Sequence, residues 1–180
     1  MPKKVDVDTQ RRTIADATIA VINETGLEGA RLRDVARAGN MTTGAVTHYF
    51  DGKDAVLEAA LKEIVRRTLE RIDRPVEIED PDNIDAFIRR VCCYLPVDEA
   101  SRREWRVWLA FWGRAIADKR LREVHARYYR AFVDRLSRLI APLRTGEAVP
   151  SESETRFCAD ALIAAIDGVG TRATLEPEKW

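Results

Sequence analysis

The amino-acid sequence predicts an all-α fold of about eight or nine helices, and three observations carry that expectation. Apolar residues recur at spacings of three and four along most of the chain, the mark of helices with one buried face. No segment alternates β-branched and polar residues between turn signals, as a half-buried strand would. Proline is absent from 13 to 72 and from 97 to 141, and Pro75, Pro81, Pro96, Pro142 and Pro150 fall between periodic segments, where helices stop.

At 180 residues, with 46% apolar and 33% charged side chains, the chain suits one compact unit or two small ones sharing a core. Thirty basic residues balance 30 acidic ones, which excludes nucleic-acid binding by bulk charge alone. Cys92, Cys93 and Cys158 form neither a disulfide framework nor a metal-ligand spacing, so no metal and no cofactor are expected. The start MPKKVDVDTQRR lacks the apolar core of a signal peptide. No apolar run reaches the roughly 20 residues that span a bilayer, so the expectation is a cytoplasmic protein without a membrane partner.

The elements follow in order. Ile14, Ala17, Thr18, Val21 and Ile22 stripe a first helix from about Thr9 to Thr25, ended by Gly26. Leu32, Val35 and Ala36 mark a short second helix, broken near Gly39-Asn40. A third runs from about Thr43 to Phe50. After the turn at Asp51-Gly52 a long fourth helix carries Val56, Leu57, Ala60, Leu61, Ile64, Val65 and Leu69. Residues 73 to 83 read as an acidic linker. Ile84, Phe87, Ile88 and Val91 stripe a fifth helix up to Leu95. A sixth, from about Asp98 to Ala117, aligns Trp105, Trp108, Leu109, Trp112 and Ile116. A seventh holds Leu121, Val124, Tyr128, Phe132, Leu136, Leu139 and Leu143. The last, from about Glu152 to Leu175, is apolar nearly all round at Ala161 to Ile166, so it should be buried on every side, as against a second copy of the chain.

Residues 32 to 50, LRDVARAGNMTTGAVTHYF, place two helices of about two turns on either side of a tight turn, a helix-turn-helix. Asn40 sits where the chain reverses and tolerates left-handed φ/ψ. Thr42 can cap the third helix. Val46 and Phe50, four apart, point inward, which leaves Thr43, Gly44, Thr47 and His48 outward. None of these is acidic, and their small or hydrogen-bonding side chains suit a major groove about 12 Å wide.

On these residues the chain resembles the TetR family of one-component transcriptional regulators. The resemblance covers RRTIADATIAVINETGLEGA, LRDVARAGNMTTGAVTHYF and DGKDAVLEAAL, with Gly44, Phe50, Lys53 and Leu57 on the family framework. It implies a homodimer with a DNA-binding domain at about 9–53 and a ligand-binding and dimerisation domain at about 54–176. The partners implied are a palindromic double-stranded DNA operator and a small-molecule inducer that releases it, most simply from a repressor. By position, Arg33, Thr43, Gly44, Thr47 and His48 are the implied groove contacts, and Tyr49 and Lys53 the phosphate contacts. Arg31, where a capping threonine is usual, can reach a phosphate, and Thr42 completes the set. Four positions depart from the pattern: Gly39 for alanine, Asn40 for glycine, Thr47 for tyrosine and Tyr49 for histidine.

WRVWLAFWGRA (105 to 115) and ALIAAIDGVGTRATLEPE (161 to 178) resemble the branch of that family that includes the choline-sensing repressor of the betaine pathway. Trp105, Trp108, Phe111 and Trp112 span more than one helix face, so they cannot all fill a single core stripe. With His125, Tyr128 and the mid-helix Asp167 they are the candidate ligand-binding residues, and a cation that aromatic faces attract is the first candidate ligand. Residues 102 to 144 carry 12 basic against 4 acidic residues, which fits either solvated helix faces or an anionic partner. An enzyme is the rival class. Two isolated histidines and the lack of a phosphate-cradling glycine loop leave little material for catalysis, so no enzymatic activity is expected. A ligand-independent architectural DNA-binding protein is the other alternative.

Overall fold

The computed structural model describes residues 6–74, 84–142 and 150–179. Among these are eight α-helices, α1 (Val7–Gly29), α2 (Leu32–Ala38), α3 (Thr43–Tyr49), α4 (Gly52–Asp73), α5 (Ile84–Cys92), α6 (Glu99–Ala115), α7 (Lys119–Ile140) and α8 (Glu152–Leu175), with a final 3-10 turn at Pro177–Lys179 and no strand. The all-α expectation holds. The expected acidic linker lies mostly, and Leu143 wholly, outside the described residues.

Helix starts are set by side-chain caps. Asp6, Thr42, Asp118 and Ser151 each accept a bond from a backbone N–H in the first turn of the helix that follows. Asp98 and Ser101 satisfy each other's backbone at the start of α6, and Ser151 and Glu154 do so at α8. Arg31 precedes α2 with no side-chain cap. Gly26, at φ 70°, breaks the regularity of α1, and one further turn continues to Gly29.

α1 packs against α2, α4 and α6, α2 against α3, and α6 against α7 and α8, which also pair with each other. One continuous apolar core therefore runs from Ile14 and Val46 through Leu57 and Ile64 to Phe111, Leu136 and Ile163. Three expectations are corrected. α5 turns Ala86 inward and leaves Ile84 and Ile88 exposed. It ends at Cys92, with single turns continuing to Leu95. Ile116 lies beyond the last regular turn of α6 and is exposed, because the chain there bends toward α7. α8 is buried on one side only: Thr155, Ala159, Ile163, Ile166, Gly170 and Ala173 face inward, while Phe157, Ala161, Ala164, Ala165, Gly168 and Leu175 face out.

The arginine excess of α6 and α7 finds carboxylates on α4. Arg114 pairs with Asp54 at 2.7 Å, Arg127 with Glu58 at 2.6 Å, Arg120 with Glu58 at 3.3 Å, and Arg135 with Asp73. These four arginines clamp α4 to the bundle.

Candidate DNA interface and ligand cavity

The turn between α2 and α3 is built by three residues. Asn40 takes φ 52°, the left-handed conformation that the reversal needs. Its neighbour Gly39 is held close: a Cβ there would lie 2.7 Å from Met41 Cε and 3.4 Å from Ala17 Cβ. Glycine at 39 therefore lets Met41 tuck under the turn and brings α1 against it. Thr42 Oγ1 accepts from the Ala45 N–H at 3.1 Å. Val46 is fully buried, which fixes the rotation of α3 and leaves Thr43, Gly44, Thr47 and His48 on the exposed side.

Thr47 Oγ1 donates to the Gly44 carbonyl at 3.2 Å, and the His48 ring meets Tyr49 edge-on at 5.1 Å. Arg31 and Arg33 are exposed beside them. Asp34, the acid nearest this surface within α2, is neutralised by Arg37 at 2.8 Å. Lys53 is half-buried, and its Nζ donates to the Glu28 carbonyl at 3.2 Å, tying the end of α1 to the start of α4. That carbonyl uses one of its three donor positions.

The second site lies in the C-terminal bundle. A cavity of about 40 Å³ is lined by Ile64, Thr68 and Arg71 of α4, Tyr94, Glu104 and the three tryptophans of α6, Tyr129 and Phe132 of α7, and Ile163, Ile166 and Asp167 of α8. That is water-sized, so a small organic guest requires the walls to move. The indoles form its aromatic wall, with Trp105 and Trp112 edge to face at 6.0 Å. Trp105 Nε1 donates to the Tyr94 carbonyl at 2.9 Å.

Asp167 accepts from the Tyr129 hydroxyl at 2.6 Å. Burial pushes its pKa up to about 6, against the opposing pull of the Tyr129 hydrogen bond. The lining holds two carboxylates, Glu104 and Asp167, and one guanidinium, Arg71, which binds Glu104 at 2.8 Å. Asp167 is left as the unbalanced charge. Three buried donors at the lining, Arg71 Nε, Tyr94 Oη and Trp112 Nε1, have no hydrogen-bond partner among the described residues.

The structure thus brings Trp105, Trp108, Trp112 and Asp167 to the cavity and leaves Phe111, His125 and Tyr128 outside its lining. Phe111 is fully buried in the core, edge-on to Trp108. Tyr128 packs beneath the Arg127 guanidinium, 5.3 Å from its ring. His125 stacks on Tyr129 at 4.0 Å, behind the wall, and burial lowers its pKa. Helical phase explains the difference: α7 reaches the cavity with Tyr129 and Phe132, and Tyr129 is one position from the expected Tyr128. Tyr94, Arg71 and Glu104 carried no signal in their own segments, since each looks like an ordinary surface or core residue until α4, α5 and α6 converge.

Two family models match the chain. Residues 14–60 match the model described as bacterial regulatory proteins, tetR family, and residues 86–180 match the model described as BetI-type transcriptional repressor, C-terminal. The chain belongs to the TetR family of transcriptional regulators. It is 31% identical over 181 residues to the HTH-type transcriptional regulator BetI of Paraburkholderia xenovorans, spanning 100% of this chain and 89% of that one. It is 29% identical over 177 residues to the HTH-type transcriptional regulator PksA of Bacillus subtilis, spanning 98% and 84%. A transcriptional regulator of Rhodococcus superposes with a TM-score of 0.78 at 31% identity, over 93% of this chain and 85% of that one. A regulator from Saccharomonospora viridis, solved in complex with choline, superposes with a TM-score of 0.76 at 24% identity, over 94% and 87%. These relatives are regulators of transcription. Among the described residues no helix is long and apolar enough to cross a membrane.

Proposed function

We propose that this regulator is a homodimeric repressor that leaves a palindromic DNA operator when a small organic cation occupies the α4–α8 cavity. The DNA-binding unit comprises α1 to α3, and the effector unit begins with α4. The observation that carries the reading is the pairing of an exposed, acid-free recognition face on α3 with an aromatic cavity whose unbalanced charge is the Asp167 carboxylate.

Thr43, Gly44, Thr47 and His48 read base edges in this scheme, while Arg31, Arg33, Tyr49 and Lys53 hold phosphates. Thr42 fixes the start of α3. Indole faces and Asp167 attract the cation. The unpartnered Tyr94 and Trp112 donors suit a guest that also carries an acceptor such as a hydroxyl oxygen. The choline complex of the Saccharomonospora relative supports that ligand class. Because the cavity is water-sized, the guest selects a conformation with parted walls and shifts the population toward it.

Two copies joined through the outward face of α8 would cover Phe157 and Leu175, with Ala161, Ala164, Ala165 and Gly168 allowing close approach. Half-sites then lie about one helical turn apart or a multiple of it, a spacing that a shift of the heads destroys. The test is to select an operator from random duplex DNA, then titrate choline chloride while following tryptophan fluorescence and operator affinity together. Quenching of the tryptophans with loss of operator binding is the expected result. Operator binding indifferent to choline and to other quaternary ammonium ions would refute the cation reading.

A further inference from the structure

Three consecutive residues of α6 touch three different parts of the molecule. The Arg103 carbonyl accepts from Asn23 Nδ2 of α1 at 3.1 Å. Glu104 lines the cavity and is only 4% exposed. Trp105 lies so close to α8 that a Cβ on Gly170 would sit 2.2 Å from its indole. The Glu104 carboxylate is held by two guanidiniums of α4, Arg71 at 2.8 Å and Arg67 at 3.9 Å. Arg67 in turn is shared: its Nε donates to Glu63 at 2.9 Å, and its Nη2 pairs with Asp16 on α1.

We propose that Glu104, Arg67 and Asp16 form a relay that couples occupancy of the cavity to α1, with Glu104 and Arg67 acting as positioning residues. The inference rests on the reading of the cavity as the effector site. A carboxylate as buried as Glu104 must keep a cationic partner. Arg71 is its nearest one, and Arg71 Nε is buried without a hydrogen-bond partner among the described residues, so the acceptor oxygen of a guest in the cavity has a free donor to engage there.

When Arg71 turns to the acceptor oxygen of the guest, Glu104 draws on Arg67. Arg67 can shift because Glu63 keeps Arg66, whose Nε donates to it at 2.9 Å. Asp16 then loses its partner, and its half-exposed position makes that loss cheap for the fold. Its neighbour Ala17 abuts the turn between α2 and α3, within 3.4 Å of where a Cβ on Gly39 would stand. The state of the cavity thus reaches the helix-turn-helix through α1 directly, in addition to any movement of α4.

A thermodynamic cycle on operator affinity tests the relay without needing the ligand. The proteins are the wild type, Asp16→Asn, Glu104→Gln and the double variant. Each single change should alter affinity, and the double should do no more than the larger single, a departure from additivity of about threefold or more. Effects that simply multiply, or single changes that leave affinity untouched, would overturn the relay. Should Glu104→Gln fail to give a cooperative melt, Arg67→Lys takes its place, since lysine keeps the charge but cannot hold three carboxylates with one planar fork.

A second arm uses choline chloride as the probe. Asp16→Asn should keep the wild-type fluorescence affinity for choline while the accompanying drop in operator affinity shrinks. An undiminished drop counts against the relay. A wild type that ignores choline defeats the cation reading alone, and the cycle still decides the relay.

Discussion

The DNA-binding head and the effector bundle place their sites by opposite means. The head assembles its surface from one stretch of chain, residues 31 to 53, in which the Thr42 cap, a left-handed Asn40 and two buried valines, Val35 and Val46, set every side chain within two turns of its neighbours. The bundle assembles its cavity from Ile64 to Asp167, with contributions from α4, α6, α7, α8 and the turn after α5. A local site tolerates drift elsewhere in the molecule, because its geometry is fixed by short-range hydrogen bonds. A convergent site inherits every error in helix packing, which makes it adjustable by a guest and vulnerable to substitution.

Substitutions that strike one region and spare the other break this comparison open. The largest effect is expected from Gly170→Ala. The added Cβ would fall 2.2 Å from Trp105, and Trp105 cannot swing aside without surrendering its bond to the Tyr94 carbonyl. Overpacking of this kind costs about 1–3 kcal/mol, and here the upper end is expected. Urea unfolding should show the loss. Gly113→Ala on α6, with nothing within 4 Å of its Cβ, is the control within one chain.

Next in size is Asp167→Asn. Removing the unbalanced carboxylate should weaken choline binding about tenfold, close to 1.4 kcal/mol, while operator affinity without ligand stays as it was. Equal affinity in the variant would remove Asp167 from the site. The same carboxylate gives a pH signature. With its pKa pushed up to about 6, Asp167 is charged at neutral pH and takes up a proton as the pH falls through 6. Affinity for a cation should therefore be flat above about pH 7 and then fall by about tenfold, levelling off near the affinity of Asp167→Asn once the carboxylate is protonated. Burial lowers the pKa of His125, which stacks on Tyr129 behind the wall. An anionic ligand would give the opposite slope.

The smallest effect sharpens the local side. Thr42→Ala removes the cap on α3 and should cost about 1 kcal/mol. It should lower operator affinity and leave choline binding unchanged. Thr47→Ala and His48→Ala should instead relax sequence preference, whereas Lys53→Ala should weaken binding to all sequences alike. A change of preference from Lys53→Ala would reverse the assignment of roles.

The helices, their order and the recognition face were legible in the sequence because each depends on residues a few positions apart. Periodicity of three and four sets the buried stripe, Thr42 and Asn40 set the turn, and the resemblance to the TetR family rests on that same contiguous stretch. Of the cavity, the sequence supplied the tryptophans and Asp167, the residues whose chemistry stands out against their own helix. It pointed to Tyr128 and His125 where Tyr129 reaches the wall, since one residue is 100° of helical rotation and only the packing of α7 on α6 and α8 fixes that phase. Arg71, Glu104 and Tyr94 became site residues solely through convergence. Four arginines of the basic excess on α6 and α7, ambiguous as composition, acquired their meaning when the tertiary structure set them against the carboxylates of α4. Local chemistry is written residue by residue, but which charges neutralise each other is decided by distance in space.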